Sequence, residues 1–385
     1  MIQRPRELET VERLLRRYAV VGITGARQVG KTTLARSLAA GRKGPVAFFD
    51  LENPEDQARL ADPLLALRHL KGLVVLDEIQ RQPGLFPVLR VLADRPRTPA
   101  RFLVLGSASP DLLRQGSESL AGRIVYHELA GFSLEEVGSE HHARLWVRGG
   151  FPRSYLAGSE SASFQWRQAF VRTFLERDLP QLGFTLNATA LRRFWTMLSH
   201  YHAQVWNASE FGRSFGVADT TVRAYLDRLA FALVVRQLPP WFENIAKRQV
   251  KAPKVYIADS GLLHALLGIR TRHDLEGHPK VGASWEGFVI GQIMRHLQAS
   301  ADECFFWATH GGAELDLLIV RGRSRWGFEV KRTTAPSITP SMRIALSDLG
   351  LKRLHVIHAG GHTFPLDRRI RAVALARLTQ DLDGP

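Results

Sequence analysis

The segment that most constrains the fold is "AVVGITGARQVGKTTLARSLAA", residues 19–40. A short apolar strand leads into Gly25, four residues separate it from Gly30, and Lys31 and Thr32 open an amphipathic helix. A Gly-x4-Gly-Lys-Thr sequence between a strand and a helix is a complete P-loop. Its glycines let successive N–H groups turn onto phosphate oxygens, and the helix start adds its dipole. The pattern predicts an α/β fold that binds ATP.

The P-loop assigns a role to each part of the predicted nucleotide site. We expect Lys31 to hold the β and γ phosphates and Thr32 to bind Mg²⁺. The predicted cofactors are therefore ATP and Mg²⁺. The predicted nucleotide-binding residues are Gly25, Ala26, Arg27, Gln28, Val29, Gly30, Lys31, Thr32 and Thr33.

A second strand, "GLVVLDEIQ", places four apolar residues directly before Asp77 and Glu78. A continuous apolar run is typical of a parallel strand that is buried on both faces. We predict that Asp77 reaches the magnesium shell and that Glu78 polarises the attacking water. The alternative is a strand that merely ends in acids facing solvent.

A third strand, "RFLVLGSAS", ends at Ser107, whose hydroxyl is suited to sensing the γ-phosphate or positioning water. In "SESLAGRI" a helix closes at Gly122 and presents Arg123. In ring-forming ATPases an arginine at a subunit edge stabilises the transition-state charge at the neighbouring subunit. We predict this role for Arg123, and a surface salt bridge is the alternative.

Five motifs together resemble a known family: "GARQVGKTT", "LDEIQ", "GSAS", "SLAGR" and "GGFP". The chain resembles prokaryotic AAA+-type ATPases in which a P-loop domain precedes a C-terminal domain of unknown function. The resemblance runs over nearly the whole chain. It implies ATP hydrolysis on an AAA+ core, with Arg27 and Arg123 at family motif positions.

The 385 residues are enough for two or three domains. We expect an AAA+ P-loop domain at 1–145, a helical connector at 146–186, a winged-helix domain at 187–270 and an α/β restriction-endonuclease-like domain at 271–385. The segment "RGGFPRSYLAG", with paired glycines and a proline, marks the first boundary.

The segment "NASEFGRSFGVADTTVRAYLDRLAFALVV" predicts a helix, a tight turn and a second helix. Ser209 is the expected cap of the first helix, Gly216 the left-handed turn residue and Asp219 the cap of the second. With the following strand this predicts a winged helix, which binds DNA in many proteins and docks protein or acts as a lid in others. The predicted DNA-binding residues are Thr220, Thr221, Arg223 and Arg228 on the second helix and Lys247, Arg248, Lys251 and Lys254 on the wing.

The stretch "ELDLLIVRGRSRWGFEVK" predicts a hairpin with Asp316 on one strand and Glu329 and Lys331 on one face of the other. With Glu286 on a preceding helix, this order predicts a restriction-nuclease-like core of the PD-(D/E)XK type. Glu286, Asp316 and Glu329 would bind Mg²⁺, and Lys331 would orient water. The alternatives are a surface ion bridge and a DNA grip without turnover.

The charge of +15 is concentrated in the rear of the chain. Residues 1–140 hold 20 Lys and Arg against 17 Asp and Glu, whereas residues 141–385 hold 32 against 20. A surplus of 12 favours a polyanion, although an arginine-rich coding bias would also produce it. The single cysteine, Cys304, excludes an internal disulfide and a cysteine zinc site. Without a membrane-length apolar run or a secretory start, we expect a cytoplasmic protein with no membrane partner.

The leading hypothesis is an ATP-hydrolysing AAA+ motor that binds duplex or branched DNA and remodels or translocates it. An AAA+ core before a winged helix also resembles the arrangement of the bacterial Holliday-junction branch-migration motor. We expect a homo-oligomer, for which a hexameric ring is one arrangement. The alternatives are an ATP-regulated, Mg²⁺-dependent DNA nuclease and an ATP-dependent signalling or defence switch that binds protein.

Overall fold

The computed structural model describes residues 2–96, 100–107, 116, 118–181, 187–242 and 252–382. The chain divides into two compact units, one of residues 1–131 with 231–233 and one of residues 132–230 with 234–385. The domain boundaries expected after residue 131 fall within the second unit and stay predictions. Across the described ranges, no helix has the length and apolar character needed to span a membrane.

The first unit is a parallel five-stranded sheet with helices. Its strands are β1 (Val20–Gly25), β2 (Val46–Asp50), β3 (Gly72–Asp77), β4 (Ala100–Ser107) and β5 (Ile124–Glu128), in the order β2-β3-β4-β1-β5. Its helices are α1 (Pro5–Arg17), α2 (Lys31–Ala40), α3 (Pro54–Arg59), α4 (Pro63–Leu67) and α5 (Leu85–Ala93), with a 3-10 helix at Ile79–Arg81.

The strand order brings the predicted motifs to one edge of this sheet. All six residues of β1 are buried, as are the last five of β3, because apolar clusters cover both faces. Strand β4 lies between β1 and β3, and its Ser107 pairs in register with Gly25. The carboxyl ends of β1, β3 and β4 therefore meet where the P-loop begins, as the apolar runs predict.

The second unit begins with helices. They are α6 (Leu134–Val137), α7 (His142–Arg148), α8 (Pro152–Tyr155), α9 (Glu160–Thr173) and α10 (Leu179–Gln181), with a 3-10 helix at Ser139–His141 and a π-helix at Phe174–Asp178. Arg167 of α9 is fully buried and donates hydrogen bonds to the carbonyls of Val147 and Gly261. This guanidinium ties the helical segment to residues almost a hundred positions later.

Three helices and a small antiparallel sheet follow. The helices are α11 (Ala188–His200), α12 (Ala208–Phe215) and α13 (Asp219–Phe231); the strands are β6 (Gln204–Val205), β7 (Val235–Leu238) and β8 (Lys254–Ile257), in the order β6-β8-β7. Gly216 adopts the left-handed conformation (φ 64°) that the predicted turn requires. Val222, Leu226 and Leu229 are buried and form an apolar stripe along α13.

The predicted cap of α12 is wrong by two residues. Asn207, not Ser209, accepts a hydrogen bond from the N–H of Glu210 at the start of this helix. Ser209 instead donates to the carboxylate of Asp219 across 2.6 Å, so it links the two helices. Asparagine and serine are both good caps, so which of the two residues caps α12 depends on where the helix begins.

The C-terminal part of the second unit is a six-stranded mixed sheet. Its strands are β9 (Cys304–Ala308), β10 (Glu314–Arg321), β11 (Ser324–Lys331), β12 (Arg353–His358), β13 (Phe364–Asp367) and β14 (Ile370–Ala374), in the order β13-β14-β12-β11-β10-β9. Its helices are α14 (Ser260–Leu266), α15 (Arg272–Glu276), α16 (Val281–His296), α17 (Pro340–Asp348) and α18 (Leu378–Asp381), with 3-10 helices at Ala301–Glu303 and Leu375–Arg377.

This sheet contains the predicted hairpin. Strands β10 and β11 pair antiparallel up to Arg321 and Ser324, and β12 then adds in parallel to β11. Cys304 is buried on β9, as a packing residue would be. Backbone hydrogen bonds from Trp241 to Phe306 and from Phe306 to Pro239 join the segment after β7 to β9. The small sheet and the large sheet are thus parts of one packed body.

Candidate functional site

The P-loop runs from the end of β1 to the start of α2. A β-carbon at Gly25 would lie 2.5 Å from the carbonyl oxygen of Leu129, so this position has no room for a side chain. Gln28 and Gly30 have positive φ angles of 62° and 103°. Such angles reverse the chain within a few residues, which is the curvature that a backbone cradle for phosphate requires.

Lys31 extends back across this loop. Its ammonium donates to the carbonyls of Gly25 at 3.0 Å and Ala26 at 3.1 Å, and the residue is only 6% exposed. Burial lowers the pKa of Lys31 to about 8, although the nearby carboxylates of Glu78 and Asp77 oppose that shift. The side chain is therefore a desolvated cation held within the predicted phosphate-binding loop.

Thr32 and Asp77 meet at the mouth of the same loop. The Thr32 hydroxyl donates to a carboxylate oxygen of Asp77 across 2.7 Å. Burial raises the pKa of Asp77, and its hydrogen bond from Thr32 partly offsets that rise. A hydroxyl and a carboxylate are oxygen ligands of the kind that Mg²⁺ prefers, so these two residues fit the ion that the fold implies.

Glu78 and Ser107 occupy the adjoining strand ends. Glu78 has a left-handed backbone (φ 55°), which is uncommon for a residue with a side chain, and its carboxylate contacts the amide of Gln80. Ser107 ends β4 beside Gly25. The side chain of Ser107 lies outside the described residues, so its sensing role stays a prediction.

The two predicted arginines are held in ion pairs. Arg123 donates to the carboxylate of Asp94 and to the carbonyl of Ala121, which is the surface salt bridge considered as its alternative role. Arg27 lies 3.9 Å from the carboxylate of Glu52, which also pairs with Arg81 at 3.1 Å. A role for Arg123 at a neighbouring subunit stays a prediction.

A second polar cluster lies in the C-terminal part of the second unit. We call Glu286 of α16, Glu314 and Asp316 of β10, and Glu329 of β11 the acidic cluster. Asp316 accepts a hydrogen bond from the N–H of Val330 at 2.8 Å, which fixes its position between the two strands. The elements and their order agree with the predicted ones, and the assignment to a nuclease-like fold stays a prediction.

The ammonium of Lys254 lies inside this acidic cluster. Its nitrogen is 3.5 Å from Glu286, 3.9 Å from Asp316 and in direct contact with Glu314. Lys254 is 4% exposed. Burial alone would lower the pKa of Lys254, but the three carboxylates outweigh that effect and raise it above the ordinary lysine value.

Two ammonium groups share the four carboxylates of the cluster. Lys331 pairs with Glu329 at 3.0 Å, as the two-residue spacing on one strand predicts. Burial, and then the charge of Asp316, raise the pKa of Glu286 to about 7 and that of Glu329 to about 8. Burial therefore favours the protonated form of both carboxyl groups and reduces the negative charge of the cluster near neutral pH.

The predicted metal centre on Glu286, Asp316 and Glu329 is not assembled. Among the residues that the structure describes, no group of three or more His, Cys, Asp or Glu side chains is arranged to hold a metal ion. The physical reason is that the ammonium of Lys254 lies against two of these carboxylates while Lys331 engages the third. The residues therefore do not fit the ion that the predicted nuclease chemistry requires.

Lys254 was also predicted to contact DNA from an exposed wing, and that prediction is wrong. The residue begins β8, the central strand of the small sheet, and its side chain points into the acidic cluster. The other predicted wing residues, Lys247, Arg248 and Lys251, lie outside the described residues.

The predicted DNA-binding residues of α13 lie on its outer face. Thr220 and Arg223 are exposed, and Thr221 and Arg228 are half-buried. The opposite face of the helix carries the buried apolar stripe. The structure therefore leaves one side of α13 accessible.

Three family models match successive parts of the chain. Residues 17–138 match an AAA domain, residues 139–273 a domain of unknown function (DUF8612) and residues 281–378 a domain of unknown function (DUF4143). Over 373 residues the chain is 54% identical to "Uncharacterized protein Rv2008c" of Mycobacterium tuberculosis and to "Uncharacterized protein Mb2031c" of Mycobacterium bovis, with 97% of this chain and 84% of each relative covered. The chain belongs to the same family as these two mycobacterial proteins. The AAA domain match at residues 17–138 makes the first unit the ATPase-type unit of the chain.

Solved structures are more distant. The Walker-type ATPase PABY2304 of Pyrococcus abyssi is 15% identical, with 69% of this chain and 96% of that chain covered and a TM-score of 0.47. The RuvB Holliday junction branch migration motor of Thermotoga maritima is 18% identical, with coverages of 61% and 88% and a TM-score of 0.30.

Sequence reasoning missed three residues of these sites. Glu314 lies two residues before Asp316, and that spacing on a strand could have indicated a shared face. The hydroxyl of Tyr256 donates to Glu286 across 2.8 Å. Tyr256 lies two residues after Lys254, and that spacing on a strand likewise could have indicated a shared face. The sequence near Glu52 holds no signal for its bridge between Arg27 and Arg81, because that contact depends on the sheet order.

Proposed function

We propose that the protein is an ATP-hydrolysing AAA+ motor that acts on DNA. The observation that carries the ATPase part is the pairing of Thr32 with Asp77 beside the buried ammonium of Lys31. In P-loop ATPases this set of groups binds the phosphates and the metal ion of the nucleotide. When bound, Mg²⁺ neutralises charge on the transferred phosphoryl group.

The protein side chains divide the work of hydrolysis. Lys31 binds the phosphate oxygens from within the loop, and Thr32 and Asp77 would hold the ion. Glu78 is next in sequence to Asp77 and is half-buried, so its carboxylate can orient the water that attacks. Its contact with Gln80 would keep that carboxylate in place in the absence of substrate.

A homo-oligomer would complete the site in this proposal. The side chain of Arg123 is about one-third exposed and that of its partner Asp94 about half exposed. Because the ion pair is open to solvent, breaking it costs little free energy. An adjacent subunit could then receive the guanidinium of Arg123 beside its γ-phosphate. A hexameric ring is one arrangement that repeats such a contact.

The positive charge of residues 141–385 supports DNA as the substrate. The surplus of 12 cations in residues 141–385 favours a polyanion. The order α11, β6, α12, α13, β7, β8 supports a winged helix, and exposed Arg223 would contact DNA from its second helix. The C-terminal sheet would serve as a further grip on DNA, because its elements follow the order of a nuclease-like fold.

The nuclease alternative is less well supported, since Lys254 lies among the carboxylates that a metal ion would need. An ATP-dependent switch that binds protein makes a different prediction, namely ATP turnover that does not respond to DNA.

The proposed function is tested by ATP turnover with and without linear, single-stranded and four-way DNA. We expect duplex or four-way DNA to raise turnover, and we expect the stimulation to fall as salt rises. Lys31→Ala should abolish both turnover and any strand movement. Turnover that is indifferent to every DNA form would favour the protein-binding switch.

A further inference from the structure

The acidic cluster is occupied by a cation from a distant part of the chain. Lys254 belongs to the small sheet, whereas Glu314 and Asp316 lie 60 and 62 residues later on the large sheet. The ammonium contacts or closely approaches Glu286, Glu314 and Asp316. Tyr256, two residues along the same strand, donates to Glu286. One strand therefore supplies both a charge and a hydrogen bond to the cluster.

A divalent cation and this ammonium cannot share the cluster. Mg²⁺ requires about six oxygen ligands at about 2.1 Å, which would place it among the carboxylates that Lys254 contacts. Two positive centres at that spacing repel strongly in a buried environment. One oxygen of Asp316 already accepts the N–H of Val330, which leaves fewer lone pairs for a metal.

We propose that Lys254 is the resident cation of the acidic cluster, so that the cluster is a buried joint between the two sheets rather than a metal-dependent cleavage site. This inference goes beyond the proposed motor function, because it assigns a structural role to residues that resemble a nuclease site. It also predicts that loss of the ammonium converts the cluster into a site for a divalent cation.

The arrangement favours that conversion. Without Lys254, four carboxylates would face the single ammonium of Lys331, which is paired with Glu329. The side chain of Glu314 is 46% exposed, so the cluster is reachable from solvent. A divalent cation could then restore the charge balance that Lys254 provides.

The test counts Mn²⁺ bound to the full-length protein without nucleotide, from the EPR signal of free Mn²⁺. Wild type is compared with Lys254→Met, which removes the ammonium. Two controls accompany it: Lys254→Arg keeps the charge, and Lys352→Met removes an exposed lysine of the same unit. Asp316→Asn is added to the wild type and to Lys254→Met. Gel filtration and circular dichroism establish which variants are folded.

We expect Lys254→Met to bind one Mn²⁺ more per chain than wild type, and Asp316→Asn to remove that ion. Lys254→Arg and Lys352→Met should match wild type. The inference is overturned if folded Lys254→Met gains no ion. It is also overturned if Asp316→Asn removes an ion from the wild-type protein, and this second result is decisive even if Lys254→Met does not fold.

Discussion

The hydroxyl of Thr32 donates to the carboxylate of Asp77 across 2.7 Å and so joins the first turn of α2 to the end of β3. The two residues are 45 positions apart, and the parallel sheet brings them together. A helix start and a strand end that are far apart in the sequence thereby form one polar site beside Lys31.

Asp77→Asn should separate nucleotide binding from hydrolysis. The amide keeps the size of the side chain but removes the charge that the ion needs, so we expect ATP turnover to fall about 100-fold. The affinity for ATP without metal should change little, whereas Lys31→Ala should weaken it. Isothermal titration and phosphate release measure the two effects, and equal turnover in Asp77→Asn and wild type would contradict the assigned role.

Arg123→Ala should lower turnover about 1,000-fold without weakening nucleotide binding, if its guanidinium acts at a neighbouring subunit. Asp94→Ala is the control, because it breaks the same ion pair and leaves the arginine available. Mixing inactive Arg123→Ala with inactive Lys31→Ala should restore part of the activity, since some interfaces combine an intact loop with an intact arginine. No recovery in mixed oligomers would argue against a shared site.

Lys254→Met should destabilise the second unit. Removal of one partner leaves buried carboxylates without their counter-ion, a change that typically costs about 3–5 kcal/mol in the free energy of unfolding. Lys352→Met, at an exposed site where the ammonium lies 5.9 Å from the centre of the Trp326 ring, should lower it by no more than about 1 kcal/mol. Urea denaturation compares the two, and a Lys254→Met variant as stable as the control would mean that the buried contacts contribute little.

His202 and His264 should each contribute a loss of stability in acid, opposite in sign to the effect of the raised pKa values of Glu286 and Glu329. Both side chains are buried, and burial is the main cause that lowers each pKa to about 3. An unfolded histidine has a pKa near 6.5. At these two histidines the unfolded state therefore binds more protons between pH 6.5 and pH 3, so the stability that they contribute above pH 6.5 is lost as the pH falls.

At pH 5 this linkage should cost about 2 kcal/mol per histidine relative to pH 7. His202→Asn keeps an acceptor for the N–H of Ile257, which His202 now binds at 2.9 Å, and should remove one histidine's share of the pH dependence. His273→Gln, at an exposed site, should leave it unchanged. Thermal unfolding from pH 7 to pH 4.5 distinguishes the two variants.

Arg223→Ala should weaken DNA binding by a similar factor for every sequence. Loss of one phosphate contact should also reduce the slope of log affinity against log salt by about one. Arg16→Ala in the first unit, where the arginine is 78% exposed, is the matched control. Fluorescence anisotropy over a salt series measures both, and identical slopes for wild type and Arg223→Ala would remove this residue from the interface.

The nucleotide site could be predicted from the sequence because its information is local. The glycine spacing requires a turn, and the apolar runs before Gly25 and Asp77 require buried parallel strands. The structure contains both features. The partners of Arg123 and Arg27 could not be predicted, because they depend on which segments the sheet order brings together.

The position of Lys254 could not be inferred from composition. A lysine at the start of a short strand is usually exposed, and charged side chains are rarely fully buried unless they are paired. Its partners lie 32 to 62 residues away on another helix and strand. Local sequence therefore favoured an exposed wing, whereas long-range charge pairing determined the buried position.

The central claim is that ATP hydrolysis in the first unit is coupled to DNA held by the rest of the chain. The most direct measurement is the ATPase rate of the full-length protein at low salt, without DNA and with saturating duplex, single-stranded or four-way DNA. The account predicts at least a several-fold rise with one of the duplex forms, absent in Lys31→Ala and lost at high salt. A rate unchanged by every form of DNA, for a protein that binds ATP, would contradict it.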